Sequence, residues 1–107
     1  MPRWLPSLLR RIHELAGRRQ VRLTLKAARE LAVLGATLDV QDACDVLAAL
    51  TADDFAQRFR SELTGEWMYV FKPVVAGTLV YLKLVLRAGC VVVSFHEDED
   101  EADEDQA

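Results

Sequence analysis

Apolar residues recur at helical spacing through the first half of the chain and at alternate positions through the second. Leu5, Leu8, Leu9, Ile12 and Leu15 form one helical stripe, with Arg10, Arg11 and Glu14 on the far side and Gly17 as the end. His13 falls on that helix as an exposed residue. Val21–Leu23 reads either as a short edge strand or as a connector. Thr24 is placed to cap a second helix, with Ala28, Leu31 and Ala32 inward and Gly35 as its stop. Asp39 caps a third helix running to about Leu50, with Ala43, Val46, Leu47 and Leu50 inward. Thr51–Ala52–Asp53–Asp54 reads as a capping box and predicts a short fourth helix carrying Phe55, Arg58, Phe59 and Arg60.

After Gly65 the period changes to two. Trp67–Lys72, Thr78–Arg87 and Cys90–Glu97 are rich in β-branched and aromatic residues and are punctuated by Pro73, Gly77 and Gly89. The pattern is that of an α+β fold, with N-terminal helices packed on a C-terminal antiparallel sheet. A two-residue loop at Ala88–Gly89 pairs Arg87 with Cys90, so that paired residue numbers sum to 177, and a four-residue loop pairing Leu86 with Val91 gives the same sum. Tyr81 then lies opposite His96, and Lys83 opposite Ser94. On the reverse side Leu82, Leu84 and Leu86 meet Phe95, Val93 and Val91. A three-residue loop would break this register and turn one strand's apolar set to solvent. If Ala76–Gly77 turns the preceding hairpin, its sum is 153 and Lys72 joins Tyr81 and His96 in one row. Pro73 inside that pairing demands an edge or a bulge.

Length, charge and cysteine content narrow the class. The chain has 107 residues, enough for one domain, over 1–96. The longest apolar runs, such as Gly89–Ser94, fall far short of the roughly 20 residues that span a bilayer. Arg10 and Arg11 interrupt what a signal peptide would need as an apolar stretch, so a cytoplasmic protein is expected. Cys44 and Cys90 are far apart, with no second pair to build a disulfide framework or a zinc ribbon. From Glu97 to Ala107 there are eight acids and no base, while residues 1–96 carry nine acids and thirteen bases. The body is therefore basic and 97–107 is an acidic tail that cannot bury its charges. A basic body fits a phosphate-bearing partner through its field, or merely solvates its helices with arginine. The tail is a solubilising end, or a competitor for the basic face. In the second case truncation after Asp98 strengthens binding of a phosphate-bearing partner such as a nucleic acid and steepens its salt dependence.

The row has a chemistry. Histidine takes and gives protons near neutrality, tyrosine orients or protonates an oxygen, and lysine or arginine holds charge on a phosphorane-like transition state. RNA supplies its own nucleophile, the 2′-hydroxyl, so this set requires neither metal nor cofactor.

Several ordered motifs resemble the MqsR family of mRNA interferase toxins. These are Leu50–Thr51–Ala52–Asp53–Asp54–Phe55, Trp67 with Val70, Lys72 and Pro73, Gly77–Thr78–Leu79–Val80–Tyr81–Leu82–Lys83, and Val91–Val92–Val93–Ser94–Phe95–His96–Glu97. Gln20–Val21–Arg22 followed by Thr24 resembles the family's early strand, and the likeness covers most of residues 10–97. It implies a RelE-like fold, metal-independent cleavage of single-stranded mRNA, and a cognate antitoxin through which alone DNA would be contacted. The family's Tyr-Lys pair is Ala56–Gln57 here, the Gln after its Trp is Met68, and its final Lys is His96. Tyr81 is kept.

The resulting assignment makes His96 the general acid or base and Tyr81 the group that orients the phosphate or protonates the leaving oxygen. Arg58 and Lys83 join them as catalytic cations, with Arg58 replacing charge lost at Gln57. Lys72, Arg60, Tyr69 and Gln57 contact substrate, and Tyr69 and Trp67 offer base-stacking faces or core packing. Two other readings stand beside it. One is a catalytically degenerate RNA- or ribosome-binding homologue, consistent with Gln57 and Met68. The other is a helix-turn-helix DNA binder around Gly35, disfavoured because the helix after it carries Asp42 and Asp45 and no base.

Overall fold

The computed structural model describes residues 1–35 and 37–98. Three helices, α1 (Leu5–Gly17), α2 (Leu25–Leu34) and α3 (Val40–Ala48), accompany strands β1 (Val21–Leu23), β2 (Phe55–Arg60), β3 (Trp67–Phe71), β4 (Val74–Val75), β5 (Thr78–Leu86) and β6 (Cys90–Glu97). The sheet runs β1-β6-β5-β3-β2, with β4 paired to β5. The expected α+β class holds, but the sheet is mixed: β1 lies parallel to β6, pairing Val21 with Cys90 and Leu23 with Val92.

The helices begin where their capping residues stand. Thr24 Oγ1 accepts the Ala27 N–H at 3.1 Å, and Asp39 Oδ1 accepts the Gln41 N–H at 3.0 Å. Leu5, Leu8, Ile12 and Leu15 of α1 join Ala43, Cys44 and Leu47 of α3 in a core closed by Phe71, Leu82, Leu84, Val92 and Phe95 from one face of the sheet. His13 is half-buried rather than exposed, because its Nε2 bonds the Leu50 carbonyl at 2.8 Å and ties α1 to the end of α3. In α2 the inward positions are Ala27 and Leu31, whereas Ala28 and Ala32 are exposed. The reason is its placement. β1 stops at Leu23, and α2 then runs along the edge of β6 that β1 leaves unpaired. There the Thr24 N–H donates to the Val92 carbonyl at 3.0 Å and Glu30 Oε1 accepts the Phe95 N–H at 2.9 Å.

Two expectations are overturned. Phe55–Arg60 is a strand, not a helix. The Asp54 carboxylate does accept the Thr51 N–H at 2.9 Å, but only one 3-10 turn, Ala52–Asp54, follows before the chain extends and pairs with β3. A capping motif starts a turn, while only packing or pairing decides how far it continues. The β5–β6 loop is the other correction. The strands pair Leu86 with Cys90 and Val85 with Val91, so three residues, Arg87 to Gly89, form the loop. A bulge at Val93 then restores the sum of 177 from Lys83↔Ser94 through Tyr81↔His96. The Ala76–Gly77 turn has the expected form, with φ of 51° and 82° at its two positions and Val75 paired with Thr78. Its sum of 153 carries through to Met68↔Val85. Pro73 interrupts the strand between β3 and β4, where its carbonyl accepts the Val80 N–H at 2.9 Å and its missing N–H costs no ladder bond.

Candidate functional site

The helices cover one face of the sheet, and the other face carries the chemistry in three rows. The first row is Lys72, Tyr81 and His96. Tyr81 pairs directly with His96, and Lys72 follows Phe71, the partner of Leu82. The Tyr81 and His96 rings stack with centroids 5.1 Å apart and planes inclined by 12°. In the second row Gln57 pairs with Val70, Val70 with Lys83, and Lys83 with Ser94. The third is apolar: Phe59 pairs with Met68 and Met68 with Val85, and Val91 and Val93 pack beside them. Lys83 Nζ stands 5.9 Å from the Phe59 ring centroid, linking the second and third rows.

His96 has a defined tautomer. Its Nδ1 lies 2.8 Å from the Glu97 carbonyl oxygen, which can only accept, so Nδ1 carries the proton. In the neutral ring Nε2 is then left with a lone pair, the form a general base requires. His96 also lines a cleft of about 360 Å³ with Glu30, Val33, Leu34, Thr78 and Glu97. Burial alone raises the pKa of the Glu30 carboxyl. The Phe95 N–H and Lys26, which hydrogen-bond it, and the nearby Lys26 and His96 charges outweigh that, holding it below the ordinary carboxylate range.

Of the residues singled out from the sequence, His96, Tyr81, Lys83, Lys72 and Gln57 share this open face. Arg58, Arg60 and Tyr69 do not. Arg58 pairs with Tyr69 one residue out of phase with Gln57, which sends both to the helix-covered side. There the Arg58 guanidinium lies between Trp4, 4.1 Å from its ring centroid, and Trp67, 4.0 Å from its own, and Arg60 lies 4.4 Å from the centroid of the same Trp67 ring. Tyr69 packs against Trp4 with centroids 6.0 Å apart. The helix reading of this segment hid the alternation. As a strand, Arg58 cannot replace charge at Gln57, because neighbours along a strand point to opposite sides.

Two residues went unassigned in the sequence. Lys26 Nζ donates to the Ser94 hydroxyl at 3.0 Å and pairs with Glu30 at 2.9 Å, extending the second row from the edge of the sheet. Nothing local signals this, since Lys26 and Ser94 are 68 positions apart. The cysteines offer no nucleophile. Both are buried, and burial with the neighbouring Cys44 pushes the Cys90 thiol up to about 12. Among the described residues no group of three or more His, Cys, Asp or Glu side chains is arranged to hold a metal ion, and no helix is long and apolar enough to cross a membrane.

A family model described as "Motility quorum-sensing regulator, toxin of MqsA" matches residues 6–97. No curated protein matches the chain. The matched region spans α1 through β6 and so contains the whole open face.

Proposed function

The chain belongs to the MqsR toxin family, and from that premise we propose that it is an endoribonuclease cleaving single-stranded mRNA by attack of the RNA's own 2′-hydroxyl. As a family member it is a toxin of a toxin–antitoxin system, with an antitoxin partner of the MqsA kind. The observation that carries the nuclease reading is the stacked Tyr81–His96 pair with Nδ1 of His96 committed to a backbone carbonyl.

In this reading His96 Nε2 takes the proton from the 2′-hydroxyl as its oxygen attacks phosphorus. The 5′ oxygen leaves with a proton from the Tyr81 hydroxyl, and the products are a 2′,3′-cyclic phosphate and a 5′-hydroxyl. Lys83, two residues from Tyr81 on the same face, holds the phosphoryl oxygens' charge, while Lys72, whose Nζ lies 3.3 Å from the Asp98 carboxylate, adds to it only as far as that ion pair yields. Phe59, the exposed member of the apolar row, gives a neighbouring base a ring to stack on. Glu30 and Glu97 at the cleft repel a phosphate, so the strand's backbone follows the lysines while the cleft takes a base or ribose. Arg58, Arg60 and Tyr69, on the far side of β2 and β3, contact RNA only if a strand wraps that edge.

The test is incubation of purified protein with mRNA in chelator, followed by mapping of the new 5′ ends. Cleavage leaving 5′-hydroxyl ends is expected, with His96→Ala slower by about 10²-fold or more at unchanged melting temperature. Equal cutting by the variant removes the proposal. Gln57 and Met68, where the family resemblance calls for Lys and Gln, favour the second reading of an RNA-binding homologue without catalysis. RNA bound but uncut selects it.

A further inference from the structure

We infer that the open face binds single-stranded RNA in one direction. The 5′ side of the cut linkage lies over β6, with its phosphates on Lys26 and Arg22, and the 3′ side crosses β5 toward Phe59. The inference rests on the roles given above to His96 and Tyr81, and it adds a phosphate site at Arg22 that those roles do not include.

Attack by a 2′-hydroxyl decides which sugar lies where. The nucleophile belongs to the nucleotide on the 5′ side of the phosphorus, and the leaving oxygen to the nucleotide on the 3′ side. In-line displacement puts these two oxygens on opposite sides of the phosphorus. The base, His96, stands on β6, and the acid, Tyr81, on the neighbouring β5. The upstream ribose therefore lies toward β6 and the downstream ribose toward β5. At this end β6 is flanked by α2, and the cleft lined by His96, Val33, Leu34 and Thr78 receives the upstream base.

Further upstream the backbone follows β6 toward the start of α2. Lys26 Nζ there donates to the Ser94 hydroxyl and to Glu30, which leaves the third of its donors for a phosphate oxygen. One strand beyond is Arg22. It pairs with Val91, so it shares the open side with Val91, Val85 and Met68, while Val21 and Leu23 turn to the core. Arg22 is exposed and has no ion pair or hydrogen bond among the described residues. From His96 back to Val91 the strand runs about 16 Å. A nucleotide has as many backbone bonds as two amino-acid residues and reaches about 7 Å, so Arg22 meets a phosphate roughly two or three nucleotides upstream of the cut. The downstream side is built differently. Lys83 Nζ stands 5.9 Å from the centroid of the Phe59 ring, which is 36% exposed, so one cation and one stacking face serve the nucleotide after the cut.

The experiment uses the intact chain and a short single strand, 2′-O-methylated throughout so that it cannot be cut, carrying a nitroxide at one end or the other. Amide NMR line broadening shows which residues each end approaches. A 5′ label should broaden Arg22, Leu23 and Lys26, and a 3′ label Gln57, Phe59 and Met68. The reverse pattern, or the same residues broadened by both labels, overturns the inference. If natural RNA is nevertheless cut in a His96-dependent way, the nuclease reading survives that result. The expected pattern with natural RNA left uncut does the opposite, keeping the direction and removing the nuclease. No broadening by either label overturns both. Anisotropy titrations of the same strand then test the new site. Arg22→Gln should weaken binding about three- to five-fold at low salt, the range of one exposed ion pair. It should also flatten the salt slope by about 0.7, the share of one phosphate contact, and Arg22→Lys should restore that slope. An Arg22→Gln slope equal to the parent's overturns the site.

Discussion

At the scale of single residues, the open face differs from what the family resemblance calls for at three positions, and the differences are chemical rather than steric. His96 stands where a lysine is expected, and a neutral imidazole with Nε2 unprotonated is a better base near pH 7 than an ammonium. Gln57 stands where another lysine is expected and has Lys83 two strands away in the same row. Restoring that cation by Gln57→Lys should tighten binding of a non-cleavable single-stranded RNA several-fold and steepen the salt slope by about 0.7, the increment for one added phosphate contact. An unchanged slope in anisotropy titrations would mean that RNA does not cross that row. The pairing of Tyr81 with His96 was legible only because two departures cancel: the loop is one residue longer than expected, so Leu84 meets Val92 and not Val93, and the Val93 bulge restores the register beyond it. The separation of Arg58 from it was not, because capping and alternation signals overlap in Asp53–Arg60 and only one of them governs the strand.

Among the elements, the strand β2 and the β5–β6 hairpin teach the same lesson from opposite directions. In β2 a local motif was right over one turn and then lost to pairing with β3. In the hairpin the local loop was misjudged by one residue, yet the distal register came out as expected because the Val93 bulge absorbs the difference. Leaving Val92 in the core and returning Phe95 to it requires that extra residue, which puts both Val93 and Ser94 on the open side. The three-residue loop has its own requirement. A Cβ on Gly89 would stand 2.7 Å from the Gln20 carbonyl oxygen, since β1 enters against the hairpin there and the Cys90 N–H donates to that same oxygen at 2.9 Å. Gly89→Ala must push the β1 entry aside. It should cost about 1–3 kcal/mol, read as a lower urea midpoint, while Gly17→Ala, which meets nothing within 4 Å, serves as the neutral control.

For the molecule as a whole, α2 holds the one long edge of the sheet that β1 leaves open, and Glu30 is the group that fastens it. Because the folded carboxyl is held below its ordinary value, its contribution to stability is present above the unfolded pKa of about 4.3 and fades as pH falls through the lower folded value. Glu30→Gln should therefore be less stable than the parent at pH 7, with the gap closing as the medium is acidified below pH 4. Urea midpoints of both proteins at pH 7, 5 and 3.5 check this, and a gap independent of pH would show that the Glu30 charge does not fasten the edge. Loosening this edge also frees the strand that carries His96. Acid should thus loosen the edge strand that carries His96.

Patterning alone was enough to establish helices followed by strands, the capping of α2 and α3, the Ala76–Gly77 turn and the adjacency of a phenol and an imidazole. Each of these depends on interactions between residues close in the chain, or on a register that one buried face enforces. Which cations stand beside that pair was decided only in three dimensions. Lys26 arrives from a helix laid along a strand edge, Asp98 settles on Lys72 after the last strand, and Arg58 is withdrawn between two indoles on the reverse side. Such placements come from contacts between distant segments, whose free energy is realised only when the sheet is assembled, and no spacing within a single segment encodes them.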